Sequence, residues 1–302
     1  MRTLIIVFSQ SGETRKTAGC IRDGLISVQG ECDLVELADV DTSVLADYDL
    51  VGIGCPVYFY QEPFHVRDFL EGLPDLTNRP WFVFCSHGSI MGITLHSMSK
   101  CLEEKGAVIV GYYDIYADVC SPFALYPSYT TGHPDEIELE EARDFGKDLA
   151  ERTPRIARGE KDLIPALEPA DEELVKEAAA LTPEIIRFII PPYTINQETC
   201  IECHTCEETC PVNGFDIDTD PPRVQDPCIG CTYCVMACPT GSIEAEWSLM
   251  AAHNREHYPY MKKWLDKAVA KGEFRWRMDP DSIDYDDYMY LQHMRKLKEK
   301  SD

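Results

Sequence analysis

Leu4-Ile5-Ile6-Val7-Phe8-Ser9-Gln10-Ser11-Gly12-Glu13-Thr14 opens with an unbroken apolar run and passes directly into a turn rich in hydroxyls. A run without polar alternation suits a strand buried on both faces of a parallel sheet. Comparable runs stand at residues 50–54, 81–84 and 107–111, with a weaker one at 32–37. Helical spacings separate them: Ala18, Ile21, Leu25 and Val28; Met91, Leu95, Met98 and Leu102; Ala142, Phe145 and Leu149. Alternation of this kind predicts an α/β fold, a doubly wound sheet of five parallel strands, over residues 1–152. The turn then stands at the carboxyl end of the first strand, where such sheets bind ligands. The hydroxyls of Ser9, Ser11 and Thr14 can ring a phosphate, Gly12 permits a tight turn, and the free N–H groups of the next helix point at the anion. Val51-Gly52-Ile53-Gly54-Cys55 holds a G-x-G but no third glycine at dinucleotide spacing, so a nicotinamide partner is not indicated.

The other strong pattern is C-x2-C-x2-C-x3-C-P, which occurs twice. Cys200, Cys203, Cys206 and Cys210 map onto Cys228, Cys231, Cys234 and Cys238 with a constant offset of 28, and each run ends in Cys-Pro. Three thiolates at this spacing can wrap three irons of a cubane from one loop, leaving a fourth iron to be met from elsewhere. Structural zinc usually pairs two C-x2-C knuckles and does not need this arrangement. His204 lies inside the first loop, and with four cysteines per site it reads as a solvated or hydrogen-bonding side chain. The duplication suggests a small pseudo-twofold domain over residues 193–246.

Residues 153–192 read as a connector, punctuated by prolines at 154, 165, 169 and 183, with one short helix over 171–181. Residues 247–302 form an extension rich in aromatics. A helix over 258–270 packing on the protein's own surface is one reading of it; aromatic anchors and the Arg275/Arg277 pair docking a partner is the other. The acidic stretch 279–287 reads as a solvated loop.

The chain has 302 residues, 44% of them hydrophobic and 27% charged, ordinary for a globular protein. Fifty-three acidic against 28 basic residues give a formal charge of −25. That charge excludes nucleic acid as a partner and favours one with a basic docking face. No apolar run approaches the roughly 20 residues of a membrane span. The N-terminal run lacks a small-residue cleavage site and reads as a strand, so a cytoplasmic location is expected. Structural disulfides are not expected there. The six cysteines outside the two runs, of 14 in all, read as buried thiols.

Three segments together resemble the flavodoxin family. Ser9, Gln10, Ser11, Gly12, Glu13 and Thr14 are similar to its phosphate loop, T/S-x-T/S-G-x-T. Gly54-Cys55-Pro56-Val57-Tyr58, with Phe59 following and Pro63 closing the loop, is similar to the loop that lays an aromatic ring on the isoalloxazine. Phe84-Cys85-Ser86-His87-Gly88 stands where flavodoxins place their second flavin loop. The resemblance implies FMN held by these loops, with Tyr58 stacking and Phe59 and Tyr60 as rivals. It departs from the family at Cys85-Ser86-His87-Gly88-Ser89, where many flavodoxins carry an aromatic residue, and this leaves open what covers the second flavin face. The cysteine segment resembles bacterial two-cluster ferredoxins. That resemblance implies two [4Fe–4S] clusters with crossed ligands: Cys200, Cys203, Cys206 and Cys238 for one, Cys228, Cys231, Cys234 and Cys210 for the other.

The whole resembles flavodoxin–ferredoxin fusion proteins of anaerobic microbes. This implies an electron-transfer protein passing electrons between FMN and the clusters for redox protein partners, as a carrier, a homo-oligomer or a subunit of a larger complex. An oxidoreductase acting on a small organic substrate is the alternative, and a redox-sensing scaffold a third reading. No general base, nucleophile or hydrolytic metal site is evident, so no catalytic residue is expected.

Overall fold

The computed structural model describes all residues except Gln29, 217–218, 220–222, 225–226 and 302. It divides into two compact units, Met1–Ala117 with His133–Ala179, and Asp118–Gly132 with Ala180–Asp302. The first contains β1 (Arg2–Val7), α1 (Glu13–Val28), β2 (Glu31–Glu36), β3 (Leu50–Pro56), α2 (Phe64–Glu71), β4 (Pro80–His87), α3 (Thr94–Glu104), β5 (Val108–Tyr116), α4 (Glu136–Ala157) and α5 (Glu172–Ala180). All five strands are parallel in the order β2-β1-β3-β4-β5, with Ile6 opposite both Val35 and Ile53. This is the doubly wound sheet expected from the apolar runs.

The runs are continuous because each face of the sheet has its own core. Leu4 and Ile6 pack with Val51, Ile53, Val83 and Met98 on one side. Ile5 and Val7 pack with Ile21, Leu25, Phe82 and Leu149 on the other. The G-x-G of β3 serves packing. A Cβ at Gly52 would lie 2.0 Å from the Phe82 ring, and one at Gly54 would lie 2.1 Å from Phe84.

The helix α4 starts with a capping box. Asp135 accepts from the N–H groups of Ile137 (2.9 Å) and Glu138 (3.1 Å), and the Glu138 carboxylate accepts from Asp135 N–H at 2.7 Å. It runs to Ala157, through Pro154, past the expected domain end at residue 152. Pro154 falls in the last turn, where burial of Thr153 and Ile156 favours continuing the helix. The segment after it packs closely. Leu167 packs against the core, His96 contacts the Glu168 carbonyl at 2.6 Å, and Leu174 and Ala178 of α5 are buried.

The second unit contains α6 (Pro183–Ile189), β6 (Thr194–Ile195), α7 (Thr205–Glu208), β7 (Phe215–Asp216), β8 (Arg223–Val224), α8 (Tyr233–Ala237), β9 (Ile243–Glu244), α9 (Ser248–Lys271) and α10 (Met289–Ser301). β6 pairs with β9 and β7 with β8, both antiparallel. The strand preceding the first cysteine run therefore pairs with the strand following the second. Pro183, read from sequence as punctuation, opens α6 at its first position, with Thr182 as N-cap accepting from Ile185 N–H at 3.3 Å.

Residues 118–132 belong with this unit, although they precede residue 152. Phe123 stacks on Trp247 at 6.1 Å, and Tyr129 meets Tyr258 at 4.7 Å and Trp276 at 5.5 Å. Trp247, Tyr258 and Phe274 are buried in their own chain, so these aromatics are core rather than partner anchors. The helix expected over 258–270 begins ten residues earlier, at Ser248. Among the described residues no helix is long and apolar enough to cross a membrane.

α1 and α4 meet through glycines. A Cβ at Gly146 would lie 2.1 Å from the Ile21 carbonyl oxygen, and one at Gly24 would lie 2.0 Å from that of Arg143. Gly146→Val must force the helices apart, at about 1–3 kcal/mol. Urea unfolding should show the lowered midpoint, and an unchanged midpoint would contradict the contact.

Candidate cofactor sites

The crevice of the first unit lies at the carboxyl ends of β1, β3 and β4. The chain leaves β1 for β2 on one side and returns to β3 on the other, so loops diverge there and leave a gap. Residues 8–12 follow β1, Gly12 takes φ +100°, and α1 begins at Glu13. Ser9 Oγ accepts from Arg15 N–H at 3.3 Å. Ser11, Gly12 and Glu13 are not buried, which leaves the mouth of the turn open.

Side chains tie this turn to the other two loops. The hydroxyls of Thr14 and Ser86 are 2.6 Å apart and buried. The Tyr58 hydroxyl donates to Gln10 Oε1. Val57 N–H donates to the Ser86 carbonyl at 3.0 Å. Tyr58 and Gln61 close a two-residue turn with reciprocal backbone bonds of 2.9 and 3.1 Å. Its central residues, Phe59 and Tyr60, take φ of +52° and +66°. Left-handed conformations at two aromatic residues are costly and must be held by their surroundings. Ile93 N–H does part of this, donating to the Tyr60 carbonyl at 2.7 Å.

Glu62 supplies more support, and nothing in the sequence pattern pointed to it. Its fully buried carboxylate accepts from Arg67 Nε at 2.6 Å and Ser97 Oγ at 2.7 Å, and Arg67 also donates to Gln61 at 2.9 Å. Burial alone would lower the Arg67 pKa, but Glu62 outweighs it and the net shift is upward. His87, proposed from sequence for the flavin, has both ring nitrogens on protein acceptors: Nδ1 on the Gly88 carbonyl (2.7 Å) and Nε2 on Asp114 (3.0 Å). Its ring packs on Tyr116 at 4.6 Å. What this loop offers the crevice is therefore Ser86 and backbone at Gly88. These loops could hold a phosphate ester and an adjoining flat ring.

In the second unit the 28-residue repeat is geometric as well as chemical. Left-handed φ values recur at Glu202 and Gly230 (+53°, +67°), His204 and Thr232 (+55°, +57°), and Asn213 and Gly241 (+54°, +65°). Each cysteine run thus takes the same backbone path. Cys200, Cys203, Cys206 and Cys238 line a single cavity, so the fourth cysteine of the second run stands with the first three of the first run. Cys210 in turn is among the groups acting electrostatically on Cys228 and Cys234. Backbone N–H groups point at sulfur: Gly214 to Cys210 (3.1 Å), Gly230 to Cys228 (3.4 Å) and Ser242 to Cys238 (3.3 Å).

Burial pushes the Cys206 thiol up to about 11 and the Cys234 thiol well above its usual value. At Cys238 burial also raises the pKa, but bonds from Thr240 and Ser242 outweigh it and the net shift is downward. Buried thiols of this kind give up their protons to a metal, whose charge replaces them. Among the described residues no group of three or more His, Cys, Asp or Glu stands close enough to hold a single metal ion. His204 bonds Glu207 at 2.6 Å and is half exposed, as expected for a side chain outside the ligand set.

Residues 4–106 match the family model described as flavodoxin domain, and residues 192–248 match that of a 4Fe-4S dicluster domain. The chain is therefore a redox protein of electron transfer, with FMN and two [4Fe–4S] clusters as its cofactors. In family terms it is a flavodoxin–ferredoxin fusion. An uncharacterized protein of Methanocaldococcus jannaschii is 26% identical over 153 residues, 49% of this chain and 98% of the relative. Among solved structures, a flavodoxin from the domain Archaea is 18% identical, covering 51% of this chain and 99% of its own, with a TM-score of 0.42. Oxidised Flavodoxin 2 from Bacillus cereus is 23% identical over 50% of this chain and 99% of its own, also with a TM-score of 0.42.

The buried Thr14–Ser86 bond supports two loops at once. Thr14→Val leaves the Ser86 hydroxyl without that partner, at about 1–3 kcal/mol, so FMN affinity should fall about tenfold or more. Fluorescence titration of the apoprotein measures this, and undiminished affinity would detach the bond from flavin binding.

His65 packs edge-on against Phe8 at 4.3 Å, and burial lowers its pKa to about 4. The unfolded chain, with His near 6.5, then binds a proton that the folded protein refuses. Stability should fall as pH drops from about 6.5 to 4, and His65→Phe should remove that part of the slope. Urea melts at pH 7.5, 5.5 and 4.5 test this; equal slopes in both proteins would be the contrary result.

Proposed function

We propose that the protein is an electron carrier, or the electron-carrying subunit of a larger redox system, that exchanges electrons between FMN and two [4Fe–4S] clusters. The observation carrying this reading is the cavity lined by Cys200, Cys203, Cys206 and Cys238, which joins thiols from both runs around one space. One cluster is held by those four residues, and the other by Cys228, Cys231, Cys234 and Cys210. FMN is held with its phosphate in the turn from Ser9 to Thr14 and its ring beside Pro56, Val57, Tyr58 and Phe59, with Ser86, His87 and Gly88 forming the third wall through backbone and hydroxyl groups. When bound, FMN supplies a centre that takes one or two electrons, and each cluster supplies one that takes a single electron.

The residues of the chain orient and insulate these centres. Thr14, Ser86 and Gln10 fix the loops against one another, and Glu62 with Arg67 anchors the strained turn. Ile229, Val235 and Ile243 keep water from the thiolates. The formal charge of −25 makes added electrons costlier and selects redox partners with basic docking faces.

Roughly eight irons and one FMN per chain are expected after oxygen-free purification. Cys238→Ser should lose the cluster served by Cys200, Cys203 and Cys206 and keep roughly four irons. Zinc in place of iron would end this reading. Steady turnover of a small organic substrate with an artificial electron donor alone would replace the carrier role by an oxidoreductase one.

A further inference from the structure

The two cysteine loops follow one backbone path but meet different surroundings. Residues 201–204 of the first are all exposed; of their counterparts 229–232, three are buried and Cys231 is half-buried. Ile201 is 63% exposed, whereas Ile229 is 5% exposed. The second loop is covered by α6 and its C-cap: a Cβ at Gly230 would lie 2.2 Å from Ile186 Cγ2 and 3.4 Å from Ile190 Cγ1. The exposed Ile201 and Cys203 line the same cavity as Cys200, Cys206 and Cys238, so that cavity lies directly beneath the open loop.

The open loop is also rimmed with acid. Glu198, Glu202 and Glu208 are exposed and form no ion pair among the described residues, while Glu207 is engaged by His204 at 2.6 Å. The matching positions of the second loop are Asp226, Gly230 and Met236 for the first three. Transient redox encounters bury little surface, so charge rather than area selects the partner. Two copies of a chain with a formal charge of −25 repel one another, which favours a cationic partner as the occupant.

We propose that residues 198–208 are the docking port of the protein, where a redox protein with an apolar centre rimmed by Lys and Arg exchanges electrons with the cluster held by Cys200, Cys203, Cys206 and Cys238. This rests on the carrier reading and the ligand sets given above. One electron passes between that cluster and the partner's own centre, and no bond forms or breaks. The three carboxylates steer a cationic partner onto the loop, and salt screens them.

The test uses the anaerobically isolated holoprotein, with iron counted on each sample, reduced with dithionite and mixed in a stopped-flow instrument with cytochrome c, a redox protein whose docking face is rich in lysine. The triple variant Glu198→Gln, Glu202→Gln, Glu208→Gln should reduce it about tenfold more slowly than the parent at low ionic strength, and the two should converge at high salt. A control triple, Glu71→Gln, Glu172→Gln, Glu173→Gln, removes the same charge from exposed positions of the first unit and should stay near the parent. Reduction of a small uncharged quinone, which needs no protein docking, should be equal in all three. A loop variant as fast as the parent towards cytochrome c, a control variant slowed as much, or a loop variant slowed equally towards the quinone would overturn the proposal. A parent that elutes as a dimer while the loop variant elutes as a monomer would put a second copy on the loop and overturn it too. A parent without iron, or one that reduces neither acceptor, would instead overturn the carrier reading beneath it.

Discussion

Each cysteine run of the second unit is incomplete without the other. Cys238 faces the cavity of the first run, and Cys210 acts electrostatically on the Cys228 and Cys234 thiols of the second. The elements in and around the runs are slight: strands of two residues and helices of four and five. Elements this short are not stable by themselves. The iron–thiolate bonds implied by the dicluster match supply what the backbone cannot, as in other small metal-dependent folds. The swapped pairing of β6 with β9 and β7 with β8 repeats the same exchange at the level of strands.

The first unit works by the opposite economy. A sheet with a core on each face is rigid, and rigidity lets its loops hold conformations they would not choose. Phe59 and Tyr60 are left-handed because Ile93, Gln61 and the Glu62–Arg67–Ser97 network hold the turn around them. Strain of this kind gathers where a chain must present a ring or a backbone group in one orientation. The loops also read one another directly, through Thr14 to Ser86 and Tyr58 to Gln10.

Much of this was legible in order of residues. The apolar runs foretold five parallel strands because strands buried on both sides cannot alternate. The cysteine spacing foretold two equivalent loops, and the recurrence of left-handed φ at 28-residue intervals shows why a repeated sequence repeats a path. Less legible were features that depend on partners distant in sequence. Pro154 read as punctuation, yet it lies in the last turn of α4, where the buried side chains of Thr153 and Ile156 outweigh one lost backbone bond. Residues 118–132 read as part of the first domain, but Phe123 and Tyr129 find their aromatic partners more than a hundred positions later. His87 read as either a flavin contact or a cap of its loop, and only the fold sets its ring nitrogens against Asp114 and the Gly88 carbonyl.

The sequence by itself determined the sheet, the turn after β1 and the two cysteine loops, because these depend on periodicity and on spacing within a few residues. Tertiary structure alone decided that Trp247, Tyr258 and Phe274 are core and that the Glu62 carboxylate meets Arg67 and Ser97. The physical reason is range. Propensity and spacing act between neighbours, whereas burial, ion pairing and the surroundings of a buried thiol are set by whatever the fold brings alongside.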